Sequence, residues 1–491
     1  MKDLKHKTIR GGVARLSAQA ANFLLRLGSL MILARLLGPN DFGLVGMVTA
    51  FTGVLNLFRD FGLSSATVQR TTVTDEQIAT LFWINTLVGV LLMLLSIAMA
   101  PAIAAFYHEP RLLAVTAVLA AAFLFNAVGV QHGAIMQREM RFTALAVINT
   151  ASLIISNAIA VAGAKAGYGY WALVAMTVTF PLAVSIGYWL AVGWVPGMPR
   201  RRAGIRPLMR FGSTMTLNGL VAYVAYNLEK VLLGRFWGAD AIGLYGRAYQ
   251  LINIPTDNLN SSVGEVAFSA LSRSQDDPKR LKSYFLKGYS LVLALTIPIT
   301  VVCALFADDV VAVFLGPKWT GVVPIFRLLA PTILIFAIIN PLGWLIYSLG
   351  LVARGLKIAL VFAPLIITGC VMGLPYGPKG VAFAYSTVMV LWLLPHIALC
   401  VRGTVVSFWD ILFTAGRPLV AGVLAGGLAF VVRSSVGSLP TLLRLMLESA
   451  AVFILFFGIL LFGAGQKAFY LDLVRGLKTP PSVDDKGLVS A

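Results

Sequence analysis

Fourteen stretches of roughly twenty or more residues, long enough to cross a bilayer as helices, run through the chain with few charges. They lie near 13–37, 42–66, 78–102, 111–135, 142–164, 169–193, 208–236, 242–272, 283–306, 321–349, 355–374, 379–401, 411–433 and 442–464. A backbone in hydrocarbon must satisfy its own polar groups, so only helices and closed barrels span membranes. These runs do not alternate apolar with polar residues, as barrel strands do. They predict an all-α integral membrane protein of about fourteen transmembrane helices. Composition agrees. Of 491 residues, 58% are hydrophobic and 12% charged, against about 25% charged in a soluble domain, and mean hydropathy is +0.86.

A net charge of +19 would raise nucleic acid as a partner of a soluble chain. Here the Lys and Arg concentrate in short loops between apolar runs, so membrane lipids are the expected contact and nucleic acid is not. With the N-terminus placed in the cytoplasm, 26 of the 39 Lys and Arg fall in cytoplasmic segments, 8 outside and 5 within spans. That is the positive-inside asymmetry, and it puts both termini in the cytoplasm. Every outer loop is short. The longest runs from about Ala307 to Thr320, and its Asp308-Asp309 pair reads as a solvated turn. Short outer loops argue against a membrane polymerase or ligase of glycan assembly, and no catalytic residue is assigned. Three Cys and four scattered His make no disulfide framework or metal site. No GxxxxGK[ST] motif is present, so ATP hydrolysis is not expected. The Asp60-Phe61-Gly62 tripeptide lacks every other kinase element and is a chance match. No cofactor is expected.

The chain repeats itself. "LARLLGPNDFGLVGM" (Leu33–Met47) aligns without gaps to "LGRFWGADAIGLYGR" (Leu233–Arg247) at an offset of 200 residues, with six identities in fifteen. Each unit would hold six helices, an even number that keeps both copies in one orientation, as parallel repeats. The expected organisation is two six-helix lobes around a central cavity, 1–204 and 205–402, two extra helices over 403–466, and a disordered cytoplasmic tail over 467–491. Gly38-Pro39 and Gly238 end the first helix of each unit at a tight turn. The Gly43-x-x-Gly46 and Gly243-x-x-Gly246 spacings permit close helix contact just after it.

"LARLLGPNDFGLVGM", "LFRDFGLSSATVQR" and "FLGPKWTGVVPIFRLLAP" resemble the polysaccharide transporters of the MATE-like multidrug, oligosaccharidyl-lipid and polysaccharide exporter (MOP) superfamily. The colanic-acid-exporter type of oligosaccharide flippase is the branch they match. The resemblance implies a multi-pass protein of the bacterial inner membrane. It implies alternating access that carries an undecaprenyl-pyrophosphate-linked oligosaccharide across for exopolysaccharide, capsule or lipopolysaccharide synthesis, beside a polysaccharide polymerase. The competing reading is a multidrug or cation exporter of the same superfamily.

Polar residues fall on single helix faces. Arg15, Gln19, Asn22, Arg26 and Ser29 share one face of the first helix. Thr49, Thr52, Asn56 and Arg59, with Asp60 beside them, share one face of the second. Thr214, Asn218, Tyr226 and Lys230 line the seventh with Glu229 adjacent, and Arg247, Gln250, Asp257, Ser261 and Glu265 line the eighth. Two readings stand. In one, Arg26, Arg59, Arg247 and Lys230, with Asn22, Asn56 and Asn218, hold the pyrophosphate and sugar, because the arginine fork binds phosphate oxygens bidentately. In the other, these cations pair across helices with Asp60, Glu229, Asp257 and Glu265, four against four. Asp257, near mid-membrane, either serves as the ion- or proton-coupling carboxylate or forms a salt bridge to Arg26, and the sequence favours neither. The membrane potential would itself favour outward movement of an anion by roughly 2.3 kcal/mol per charge per 100 mV. Trp83, Trp171, Trp194, Trp237, Trp319 and Trp409 are expected at the membrane interfaces.

Overall fold

The computed structural model describes residues 21–59, 64, 67, 73–199, 206–436, 439–468 and 470; within these, the side chains of 206–222, 224–226, 257–263, 265, 266, 269, 352, 432 and 434–436 are not described. The described residues form helices joined by short turns and include no strand. In chain order the helices are α1 (21–36), α2 (Pro39–Asn56), α3 (Asp75–Tyr107), α4 (Arg111–Arg138), α5 (Phe142–Lys165) and α6 (Tyr170–Val192). There follow α7 (206–237), α8 (239–272), α9 (Pro278–Leu305), α10 (Ala307–Phe314), α11 (Val322–Leu329) and α12 (Pro331–Ser348). The last four are α13 (Val352–Gly373), α14 (Gly377–Val401), α15 (Phe408–Val436) and α16 (Thr441–Gly458).

Among the described residues, nine continuous helical stretches are long and apolar enough to cross a membrane; α11 with α12 makes one, and the stretch 353–401 holds both α13 and α14. The ten spans so supplied are joined by α1, α2, α7 and α8, which complete the fourteen expected from the sequence. Those four are the helices that carry the polar stripes.

Local chemistry sets the ends. Pro39 occupies the first position of α2, where its missing N–H costs nothing, and the Asp41 carboxylate accepts the Gly38 N–H at 3.0 Å. Thr74 and Gln77 exchange side-chain and backbone hydrogen bonds at the start of α3, a capping box. Gly238 sits at φ 79°, ψ −172° between α7 and α8, a conformation open to glycine.

Contacts divide the chain into two compact units. The first comprises Met1–Arg247, Phe314–Gly321 and Ala363–Val381; the second comprises Ala248–Val313, Val322–Phe362 and Ala382–Ala491. In the first, α4 packs against α3 and α6, and α6 against α5. Leu87, Leu91, Leu94 and Leu95 of α3 remain exposed, as a lipid-facing surface requires. The two halves of the sequence repeat also meet in this unit. A Cβ added at Gly43 would overlap the backbone carbonyl of Ala239, and one at Gly243 would overlap that of Pro39. Asn40 Nδ2 donates to Asp240 Oδ2 at 3.3 Å. The two repeated turns thus cross backbone to backbone, each glycine against its counterpart's turn.

Two sequence expectations are corrected here. Trp319 does not face the lipid as a belt residue would: it is wholly buried, and its indole N–H donates to the Ala34 carbonyl at 2.7 Å. Trp83, Trp237 and Trp409 do remain exposed. Nor is the Asp308-Asp309 pair a solvated turn. In the second unit Asp309 is 1% exposed and accepts from Arg444 Nε, 3.1 Å from each carboxylate oxygen, and from Arg444 Nη2. Asp308 pairs with Arg327 at 2.6 Å. Arg433 donates to the Leu305 carbonyl at 3.0 Å and approaches Asp309 to 3.9 Å and the buried Glu448 to 4.0 Å. Together with the Lys282–Asp410 pair at 2.6 Å, this cluster ties α15 and α16 to α9, α10 and α11.

Removing one partner of a buried pair leaves an uncompensated charge, which costs about 3–5 kcal/mol. Arg444→Ala should therefore destabilise the protein by about that amount, while Asp309→Asn combined with Arg444→Met should recover most of it. Thermal unfolding in detergent, read by tryptophan fluorescence, measures the difference. Equal melting temperatures for wild type and Arg444→Ala would contradict the assignment.

Candidate functional site

The polar faces of α1, α2 and α7, with the first turns of α8, lie in the first unit. On α1, Asn22 is half-buried with its Oδ1 buried and unbonded. Arg26, one turn on, is exposed. Ser29, the next position on that face, donates to Asn157 Oδ1 of α5 at 2.8 Å. The stripe is therefore anchored at one end and open at the Arg26 level.

On α2, Thr52 is buried and donates to the Val48 carbonyl, and Asn56 is exposed and donates to the Thr52 carbonyl at 3.2 Å. Arg59 follows the helix end. Its Nη1 donates to Asn126 Oδ1 of α4 at 3.3 Å, and its Nε is buried with no hydrogen-bond partner. Asn126 in turn donates its Nδ2 to the Ala122 carbonyl at 2.8 Å, which fixes the amide with its oxygen toward Arg59. Tyr223 of α7 donates to the Thr49 and Ala50 carbonyls at 3.2 and 3.3 Å, so α7 is held against α2 on this face.

Further along α7, Glu229 is 2% exposed and neither carboxylate oxygen has a hydrogen-bond partner. Lys230 donates to Asn227 Oδ1 at 2.8 Å. On α8, the Arg247 guanidinium lies 4.2 Å from the centre of the Phe42 ring, a cation–π contact, and its Nε is buried and unbonded. Tyr245 is fully buried.

Arg15, Gln19 and Asp60 lie outside the described residues, as do the side chains of Thr214, Asn218, Tyr226, Asp257, Ser261 and Glu265. Among the described residues, no ion pair joins Arg26, Arg59 or Arg247 to a carboxylate. Arg26, Arg59, Lys230 and Arg247 belong to the first unit, with Glu229.

Asn126 escaped the sequence reading. Its signal was there: a lone amide in the apolar run "AAAFLFNAVGV", and an intramembrane polar residue is a functional candidate by default. Asn126→Ala should free Arg59 and weaken anion binding by about two- to tenfold, the worth of one typical hydrogen bond. Asn126→Asp, which pairs Arg59 with a carboxylate and sets a like charge beside the anion, should weaken it more. Titration of purified protein with inorganic pyrophosphate distinguishes them, and identical affinities for Asn126→Ala and wild type would rule the role out.

Comparison with known proteins adds a second line. A family described as polysaccharide biosynthesis protein matches residues 32–324. The lipopolysaccharide biosynthesis protein WzxC of Escherichia coli K12 is 27% identical over 401 residues, 79% of this chain and 80% of that protein. The succinoglycan biosynthesis transport protein ExoT of Rhizobium meliloti 1021 is 23% identical over 420 residues, 85% of this chain and 84% of that protein. Among solved structures, the lipid II flippase MurJ in an inward closed conformation superposes with a TM-score of 0.72 at 14% identity, covering 94% of this chain and all of that one. An inward-facing multidrug resistance MATE transporter of the MOP superfamily superposes with a TM-score of 0.60 at 13% identity, covering 82% and 98%.

Proposed function

The chain belongs to the polysaccharide biosynthesis protein family, and from that premise we propose that it is a flippase for an undecaprenyl-pyrophosphate-linked oligosaccharide repeat unit. It is a multi-pass membrane protein and a transporter, not an enzyme. Its place is the bacterial inner membrane with both termini in the cytoplasm, supplying repeat units to a polysaccharide polymerase. The observation that carries this reading is the set of arginines on the polar faces of α1, α2 and α8, none of them paired with a described carboxylate. A planar guanidinium that stays charged in a membrane suits phosphate oxygens, and Arg26 and Arg59 at successive levels offer an anion more than one station. A cation exporter would need an excess of acids on these faces, and the named relatives in polysaccharide synthesis favour the flippase reading.

The roles divide as follows. Arg26, Arg59, Arg247 and Lys230, with Asn22, Asn56 and Asn218, contact pyrophosphate and the adjoining sugar. Glu229, Asp60, Asp257 and Glu265 serve coupling or hold helices together, and Glu229 is the described member best suited to take up a cation or proton, since both its oxygens are buried and free of hydrogen bonds. Six-helix lobes over 1–204 and 205–402 rock about the crossed turns, and the pair over 403–466 rides on the second.

The test is loss of the gene. Cells without it should stop displaying polymer and should accumulate lipid-linked repeat units on the cytoplasmic leaflet, inaccessible to an externally added glycosidase. Normal surface polymer in those cells would overturn the proposal. Repeat units that reach the outer leaflet but stay unpolymerised would instead assign a polymerase.

A further inference from the structure

The stretch "FLGPKW", Phe314–Trp319, stands out in the sequence, and the roles proposed above leave it unused. It lies in the connection between α10 and α11, yet it belongs to the first compact unit with α1 and α2. Its hydrogen bonds there are of one kind. An α-helix leaves its last four carbonyls without intrahelical donors. At the end of α1, the Leu33 carbonyl is taken by the Leu37 N–H at 2.8 Å. The Ala34 carbonyl is taken by the Trp319 indole N–H at 2.7 Å, and the Leu36 carbonyl by the Lys318 ammonium at 3.5 Å. Donors 285 and 282 residues away thus finish a helix whose own turn does not.

Packing reinforces the cap. The Trp319 ring meets Phe42 of α2 edge-on, 5.5 Å between centroids. Leu315 and Trp319 are wholly buried, and Gly316, at φ 94°, lets the segment pass against the stem of Arg35. Phe42 in turn carries the Arg247 guanidinium. The segment therefore touches both the end of α1 and the start of α2, beside the crossed turns of the repeat.

We propose that residues 314–321 are a latch that caps α1 in trans, holds shut the end of the transporter bearing the α1–α2 turn, and undocks once per cycle when that end opens. This rests on the transport reading of the preceding subsection. Two features suit the cap to release. The donors are side chains of another segment, so α1 can lose them without unwinding. Water admitted at an open end replaces them, and exchanging a protein hydrogen bond for one to water changes the free energy little. A carbonyl capped by its own turn could not be switched in this way.

The experiment uses the full chain with Cys303, Cys370 and Cys400 replaced by alanine. In Leu36→Cys with Lys318→Cys, a short cleavable bis-methanethiosulfonate linker should reduce surface polymer at least tenfold, and cleavage with dithiothreitol should restore it. A linked protein that delivers polymer normally would overturn the latch, since the segment would then stay docked throughout. In a second arm, Leu36→Cys alone is labelled with a membrane-impermeant maleimide. Trp319→Phe keeps the ring and deletes the N–H, and should speed labelling at least threefold; an unchanged rate would also overturn the proposal. Lys318→Met, which leaves the buried indole alone, supplies the same comparison should Trp319→Phe fail to accumulate. Labelling needs no substrate. Faster labelling in a protein that delivers no polymer even when unlinked would keep the latch and remove the transport reading instead.

Discussion

Gly43→Ala is expected to cut polymer export by roughly 5- to 150-fold while leaving the protein folded in the membrane. The argument starts from space. A methyl group at Gly43 would overlap the Ala239 carbonyl, and a backbone cannot swing aside as a side-chain tip can. Over-packing of this kind costs about 1–3 kcal/mol, and a cost borne by one conformation alone shifts its population by about 5- to 150-fold. Alanine is a better helix former than glycine, so α2 itself is not damaged; what suffers is the state in which the two turns lie crossed. Gly243→Ala should behave alike, because its methyl would overlap the Pro39 carbonyl. Gly246→Ala is the control: it keeps the same helical setting, but nothing lies within 4 Å of its new methyl, and export should be unchanged. Measured surface polymer, normalised to protein in the membrane, decides. Wild-type export by both Gly43→Ala and Gly243→Ala would mean that the crossing is not part of the cycle.

That pair of glycines also marks how far the sequence could be read. The 200-residue offset located both turns, because glycine, arginine and leucine survive at matching places and a tight turn restricts which residue fits. The fourteen spans were legible for a similar reason: hydrocarbon imposes one requirement on twenty consecutive residues at once. Long-range partners carry no such signature. Asp309 and Glu448 look in sequence like loop and helix acids, and only folding places Arg444 and Arg433 beside them. Trp319 looks interfacial because tryptophan usually is, and its true partner, the Ala34 carbonyl, is a backbone group that no sequence pattern announces. The site lies between these cases. Helical periodicity found the faces that bear Arg26, Asn56 and Arg59. It could not tell which charges pair, since four cations facing four anions fits either reading. Among the described residues Arg26, Arg59 and Arg247 form no ion pair with a carboxylate, while the side chains of Asp257 and Glu265 lie outside them.

Arg26 is the side chain on which the anion reading depends most. It is exposed on the open part of the α1 face, one turn from Asn22 and flanked by no described carboxylate partner. A hydrogen bond to a charged group contributes about 1.5–3 kcal/mol, so loss of this guanidinium should weaken productive binding by about 10- to 150-fold. Arg26→Ala should therefore trap lipid-linked repeat units on the cytoplasmic leaflet to nearly the extent seen when the gene is absent. Arg26→Lys keeps the charge but loses the planar fork, and should restore only part of the export. Arg26→Gln, neutral and of comparable reach, should resemble alanine. The ordering matters more than any single value, because each mechanism predicts a different one. If lysine equals arginine, the site needs charge alone and no bidentate contact is made. If glutamine equals arginine, the residue packs and does not bind. If all three variants export normally in cells whose deletion abolishes surface polymer, the transport pathway runs along another face, and the arginines of α2 and α8 become the next to test.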